Sequence, residues 1–234
     1  MMNKIFVLSE EDTKSLLEME EVIETVENVY KEKSLGSGKV FPLVFHEFER
    51  AVADMDIKSG TLDAMGVYGL KLVSWFGENQ KKNLPALSGS VMIFDRETGL
   101  PLGLINAEHM TGMRTGAAGA IGAKALARKD SEAMLMVGAG HQAVYQIRAM
   151  QAVFSNLKKV MVHDPILFEN ASRFVKDFSY KREGIEYIPV ENLEGAVGIS
   201  DIIVTATPSR KPIIMKEWVK KGTHFSCMGS DMEG

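Results

Sequence analysis

The run Met134-Leu-Met-Val-Gly138-Ala-Gly140-His-Gln-Ala143 constrains this chain more than any other stretch, because an apolar segment of strand length meets glycines at G-x-G-x-x-A spacing and then continues as a helix. Gly138 permits the tight turn. Gly140 lets the backbone approach a ligand, and the small Ala143 lets the helix sit close to the strand. The free N–H groups and positive dipole at the start of that helix suit an anion, and a strand–turn–helix of this form holds the pyrophosphate of a dinucleotide. The glycines alone are a weak signal, since tight turns also use glycine for steric reasons. The acid that follows strengthens it. Asp164 lies 24 residues after Gly140, at the end of the apolar run Val160–His163, where a carboxylate binds a ribose 2′-hydroxyl and repels a 2′-phosphate. Asp164-Pro165 also suits a helix cap, but strand, glycines and acid in register favour cofactor binding, and NAD over NADP.

From Ala133 onward strands alternate with helices: Met134–Val137, a helix over His141–Phe154, Val160–His163, a helix over Leu167–Phe178, Glu186–Ile188 and Asp201–Ala206. That order predicts a parallel sheet covered on both faces, a Rossmann-type α/β domain. Ligands of such sheets lie beyond the carboxyl ends of the strands. Thr205 and Ala206, at the end of the last run, therefore line the adenine or nicotinamide-ribose side, or are ordinary strand-end residues.

The N-terminal part reads differently. Ser9 with Asp12 marks a helix start, and Val22, Ile23, Val26, Val29 and Tyr30 share one face of a helix ending near Gly36. Apolar runs at 51–57, 70–75, 89–94 and 102–105 are strands, and Asp95–Gly99 is a hairpin connection. The Ala/Gly-rich stretch 107–127 is a tightly packed helix joining two domains. The expected architecture is a smaller α+β substrate and dimerisation domain over 1–110 and the Rossmann domain over 111–234.

Twenty-seven basic and 31 acidic side chains give a net charge of −4 without like-charge blocks, so neither nucleic acid nor an anionic membrane is an expected partner. The single cysteine, Cys227, excludes an internal disulfide framework. With no long apolar span and no signal-peptide pattern, the chain is expected to be cytoplasmic. His46, His109, His141, His163 and His224 show no metal-ligand spacing, and no G-x-S-x-G elbow is present.

Arg114-Thr115-Gly-Ala-Ala118, then Ala125-Leu-Ala-Arg-Lys-Asp-Ser131, the glycine run, Thr205-Ala-Thr-Pro-Ser209, Gly222-Thr-His and Met228-Gly-Ser-Asp231 follow one another along the chain. In order and spacing this series resembles the ornithine cyclodeaminase/mu-crystallin family. The resemblance implies hydride transfer at the α-carbon of an amino or imino acid, with cyclising deamination or reductive amination. It implies NAD as cofactor and a homodimer. Cofactor contact is implied for Arg114, Thr115, Gly138, Gly140, His141, Gln142, Asp164, Thr205, Ala206, Gly229 and Ser230.

The same resemblance makes Arg114 a substrate-carboxylate ligand, a task suited to a bidentate guanidinium; a helix-end ion pair is the plainer alternative. Lys71, within Gly69-Leu-Lys-Leu-Val-Ser74, matches the substrate-binding lysine, unless its strand is an edge and it points to water. Asp231 matches the acid that handles the substrate's proton or amine. Lys39 stands where ornithine-specific members carry arginine, and Asp56 near a substrate-facing glutamate. Both are departures that weaken an assignment to ornithine. Asp56 and Lys58 share a strand face by period two, and either pair directly or hold a polar substrate tail.

Family members continue well past the motif containing Asp231. The chain is accordingly expected to be a fragment or shortened product with an incomplete first sheet, C-terminally truncated relative to the family. Two alternatives to an enzyme follow: a dinucleotide or small-ligand binding protein of the mu-crystallin type, and an inactive remnant.

Overall fold

A computed structural model describes residues 4–50, 52–209 and 211–228. Two compact units are distinguished: one holds the residues up to Glu18 and Glu24–Thr111, the other Met19–Ile23 and the residues from Gly112 on.

The first unit contains β1 (Phe6–Leu8), α1 (Glu10–Leu16), most of α2 (Met19–Leu35), β2 (Gly38–Val40), β3 (Val44–Glu49), β4 (Ala53–Leu62), β5 (Val67–Phe76), β6 (Leu87–Asp95), β7 (Pro101–Asn106) and the start of α3 (Glu108–Leu126). The sheet runs β1-β7-β6-β5-β4-β2, and β3 also pairs with β4. All these pairings are antiparallel except β1 with β7. The hairpin expected at Asp95–Gly99 joins β6 to β7, with Gly99 at φ 73°.

The N-terminal helix expected as one piece is two. Ser9 caps α1 through a reciprocal box with Asp12, but Leu17 turns extended, at φ −100° and ψ 112°, and breaks the run before α2 begins. The apolar face at Ile23 and Val26 belongs to α2 alone, which ends at Gly36 in the left-handed region. Strands β1, β2 and β3 were not expected. The first two are three residues long, and all six residues of β3 are exposed, so no buried face imposes an alternation on them.

The second unit is β8 (Ala133–Val137), α4 (His141–Val153), β9 (Lys159–His163), α5 (Phe168–Asp177), β10 (Glu186–Pro189), α6 (Leu193–Ile199), β11 (Ile202–Thr205) and β12 (His224–Cys227). Its strands are all parallel, in the order β10-β9-β8-β11-β12. This is a doubly wound, Rossmann-type sheet whose strand order reverses beside β8. Buried Leu135, Val137, Met161, Val197 and Ile203 form one core cluster. β8 is apolar without interruption because both of its faces are covered.

Glycines on α3 set its packing against α4. A Cβ on Gly112 would lie 2.3 Å from the Tyr145 ring, and one on Gly116 would lie 2.5 Å from the Tyr145 carbonyl oxygen. The two helices thus pack at a distance that no larger residue allows. Gln146, fully buried, donates to the Thr115 carbonyl at 3.1 Å. Its Oε1 has no conventional partner, but it lies against the Gly119 backbone, as a weak Cα–H contact requires.

At the amino end of this sheet the buried Asp201 accepts hydrogen bonds from the amides of Glu132 and Ala133 at 2.9 and 3.0 Å, and ion-pairs with Arg128 and Lys220 at 2.7 and 2.8 Å. Burial alone would raise its pKa. The bonds from Lys220, the two amides and Arg128 outweigh that and hold the carboxyl well below the usual carboxylate range. The network ties β8 to β11 at the end remote from the glycine turn.

Candidate functional site

The carboxyl ends of β8, β9 and β11 converge on the glycine turn. Gly138 adopts φ 105°, and a Cβ there would lie 2.4 Å from the carbonyl oxygen of Ala206. Its amide donates to the His163 carbonyl at 2.8 Å, while the Ala206 amide donates to the Val137 carbonyl at 3.0 Å. Both the left-handed backbone and the closeness of the β11 end therefore demand glycine at 138.

Gly140 is the N-cap of α4 and offers no side-chain cap; a Cβ placed on it meets nothing within 4 Å. The first turn of α4 carries no acidic residue. The orphan N–H groups and positive end of the dipole are thus neutralised by no carboxylate of the helix itself, and space for a bulky anion lies beside the turn. Gln142 Oε1 is a buried acceptor without a hydrogen-bond partner, at the same turn. The uncapped amides and the open space beside them, though not the Gln142 carbonyl oxygen, fit the pyrophosphate of a dinucleotide.

Asp164 follows β9. Its Oδ1 accepts from the amides of Ile166 and Leu167, both at 3.1 Å, and from Asn170 Nδ2 at 3.0 Å. Its Oδ2 accepts from the Ala139 amide, in the glycine turn, at 3.3 Å. Capping and proximity to the glycine turn, which compete in a reading of the sequence, are performed by different oxygens of one carboxylate. Burial would raise this pKa, but Asn170 and the three amides lower it further, so the group stays charged at neutral pH. A cavity of about 320 Å³ opens here, lined by the turn, Asp164, Asn170, Arg173 and Asp177. Thr205 and Ala206 lie partly exposed at the end of β11, and His141 is exposed at the start of α4.

In the first unit, β5 is an interior strand of the sheet, so Lys71 is not on an edge. Lys71 is half-buried and stands directly opposite Lys58 of β4. Opposed residues of an antiparallel pair share a face, as do residues two apart, which puts Asp56, Lys58 and Lys71 on one face. Asp56 pairs with Lys58 at 2.8 Å through Oδ2, while its Oδ1 is buried without a hydrogen-bond partner. By the same register Asp54 and its β3 partner Glu47 share this face, so the two lysines stand among carboxylates. Lys39 is registered with Thr61 and so stands on the other face.

The chain matches the model of one protein family, described as the ornithine cyclodeaminase/mu-crystallin family, over residues 3–234. It belongs to the ornithine cyclodeaminase/mu-crystallin family. Among curated members, it is 35% identical over 228 residues to the alanine dehydrogenase of Archaeoglobus fulgidus, covering 97% of this chain and 68% of that protein. It is 33% identical over 175 residues to the Δ1-pyrroline-2-carboxylate reductase of Paracoccus denitrificans, covering 74% of this chain and 54% of the other. Among solved structures, that of the Δ1-pyrroline-2-carboxylate reductase of Thermococcus litoralis, in complex with NADH and L-proline, superposes with a TM-score of 0.87 at 38% identity, over 94% of this chain and 68% of that one.

For this family member, the structure brings Gly138, Gly140, Gln142 and Asp164 to one turn, with Thr205 and Ala206 at the adjacent strand end. Arg114 is exposed on α3, next to Thr115, whose carbonyl holds Gln146. Gly229, Ser230 and Asp231 lie outside the described residues. Sequence reasoning missed Asn170, Arg173 and Asp177, which line the cavity beside Asp164. Their spacing of three and seven on α5 is the legible signal of one helix face.

Proposed function

We propose that this chain binds NAD and processes a small amino or imino acid by hydride exchange at its α-carbon, as an enzyme of the ornithine cyclodeaminase type. The observation that carries the reading is the uncapped glycine turn at the carboxyl end of a parallel sheet, with a charged Asp164 bonded to it. Family membership supplies the reaction class.

NAD, when bound, would accept or donate the hydride. The residues of the chain do the rest. The amides at the start of α4 hold the pyrophosphate, and Asp164 meets the ribose diol. Thr205 and Ala206 flank the dinucleotide, and Gly138 keeps the turn tight enough for them to do so. Arg114 is proposed as the ligand of the substrate carboxylate, through two parallel N–H donors, and Lys71 as a substrate-binding residue that acts as a point charge. Asp56 keeps Lys58 oriented on the face that Lys71 shares. Asp231 is proposed as the group that handles the substrate's proton or amine, and Gly229 and Ser230 as cofactor contacts beside it. Lys39 contributes charge only at longer range.

A homodimer is part of the proposal. All six residues of β3 are exposed, among them Val44 and Phe45 on opposite faces and Phe48, apolar surface that a second copy would cover. Among the described residues, no helix is long and apolar enough to cross a membrane.

The test is titration of the purified chain with NADH and NADPH, followed by assays with alanine, ornithine, lysine, proline, and pyruvate plus ammonia. Saturable NADH binding with turnover of one of these supports the reading. Binding without turnover on any amino or imino acid points instead to a binding protein, and binding of neither dinucleotide removes it. One variant sharpens the cofactor assignment. Asp164→Ser is expected to weaken NADH about tenfold and to strengthen NADPH, because Arg173 lines the same cavity and meets a 2′-phosphate once the carboxylate is gone. An unchanged ratio of the two affinities would show that Asp164 does not read the ribose.

A further inference from the structure

We propose that Asn170 is a positioning residue for cofactor choice: by holding Oδ1 of Asp164 it presents Oδ2 to the dinucleotide turn, so that the carboxylate accepts a ribose 2′-hydroxyl and excludes a 2′-phosphate. The proposal rests on the NAD-binding reading above.

The geometry is asymmetric. Three donors converge on Oδ1, two of them backbone amides of the segment leading into α5 and the third the Asn170 amide group at 3.0 Å. Oδ2 receives the Ala139 amide at 3.3 Å, longer than any of the three bonds to Oδ1. A carboxylate oxygen accepts more than one hydrogen bond, so Oδ2 retains capacity toward the cavity that Asp164 and Asn170 line together. The two amides approach from the same short stretch of backbone. Asn170 comes from the first turn of the helix, and is the one side chain among these donors.

Asn170 also keeps the carboxylate ionised, since its bond is the foremost of those that lower the pKa against burial. Removing the donor frees the carboxylate to rotate and makes protonation easier. Both changes weaken the charge that discriminates against a 2′-phosphate, an anion for which Arg173 in the same cavity is a ready partner. The role is therefore distinct from packing, which would affect the two dinucleotides alike.

Asn170→Leu removes the donor at similar volume, and Asn170→Ser keeps a shorter one. The dissociation constants of NADH and NADPH are measured by fluorescence for the wild-type chain and both variants, from pH 7.5 down to pH 5, alongside melting temperatures. The expected result for the leucine variant is NADH weakened about tenfold with NADPH unchanged or tighter, as for the loss of one hydrogen bond to a charged group. Any fall of NADH affinity with acidity sets in at higher pH than in the wild type, and the serine variant recovers part of the discrimination. Equal weakening of both cofactors, or no change in a variant that melts normally, overturns the role of Asn170 and leaves NAD binding intact. Failure of the wild type to bind either dinucleotide removes the cofactor reading and this role with it. If the leucine variant does not fold, the serine variant decides: an NADH to NADPH ratio equal to the wild type's, with unaltered pH dependence, refutes the proposal.

Discussion

Gly138→Ala is expected to abolish dinucleotide binding and to destabilise the second unit by about 2–4 kcal/mol, the sum of a left-handed backbone penalty and a steric conflict. The conflict is with backbone. The new Cβ would sit 2.4 Å from the Ala206 carbonyl oxygen, so relief requires β8 and β11 to part where the Ala206 amide bonds to Val137. Parting them moves the turn away from the α4 amides proposed to hold the phosphates. Urea unfolding and NADH titration of the variant check both effects; wild-type values for each would refute the steric argument. Gly122→Ala on α3 makes a control of opposite sign. A Cβ there meets nothing within 4 Å, and alanine in a helix interior is favoured over glycine by about 0.5–1 kcal/mol, so this variant should be slightly more stable than the wild type.

Replacing Asp201 by alanine should cost about 3 kcal/mol and lower the melting temperature by roughly 10 °C, with little direct effect on cofactor affinity per folded molecule. Arg128 and Lys220 are partly exposed and can return to water, but the two amides that the carboxylate satisfies lose their acceptor. Linkage gives the same residue a pH signature. Because the folded pKa is depressed, the stabilisation is fully present above the unfolded carboxyl value of about 4 and is lost as pH falls from there through the folded value. Wild-type stability should therefore decline below about pH 4 more steeply than that of the variant. His224 acts in a separate window. Burial lowers its pKa, so the unfolded chain takes up a proton first and stability falls as pH drops below about 6.5, a decline that His224→Gln should remove. Melting curves from pH 8 to pH 3 separate the two. Identical pH profiles for wild type and Asp201→Ala would dismiss the network.

Local signals carried much of this architecture. The β8–turn–α4 segment combines an unbroken apolar strand with glycines at a fixed spacing, so it was legible without any partner element. The same holds for the capping box at Ser9 and the left-handed Gly36. Helix α6 was not legible: it is seven residues long and contains Gly195 and Gly198, which weaken any helical signal. Register was equally hidden. That Lys58 faces Lys71 follows from a ten-residue ladder between β4 and β5, and no property of either residue announces it. Asn170 illustrates a third limit. It reads as one polar residue on an amphipathic helix until the turn at Asp164 places an acceptor above it.

One feature of the fold bears on how the chain reaches it. Met19–Ile23 belongs with the second unit, with Met19 and Ile23 buried, and Glu20 ion-pairs at 2.8 Å with Arg182, 162 residues later. Arg182 is fixed in turn by the Gln151 carbonyl at 2.7 Å, and its own amide bonds to Tyr187 at 2.8 Å. On the ribosome, the segment that completes this unit emerges 162 residues before its partner Arg182. Closing so long a loop is slow, and until it closes two apolar residues wait uncovered beside an unpaired acid. A polypeptide starting at Gly112 would never acquire that segment. The nucleotide-holding half is thus not a freestanding module that gene fusion could transplant by its C-terminal stretch alone; it must bring along a piece of the beginning of the chain.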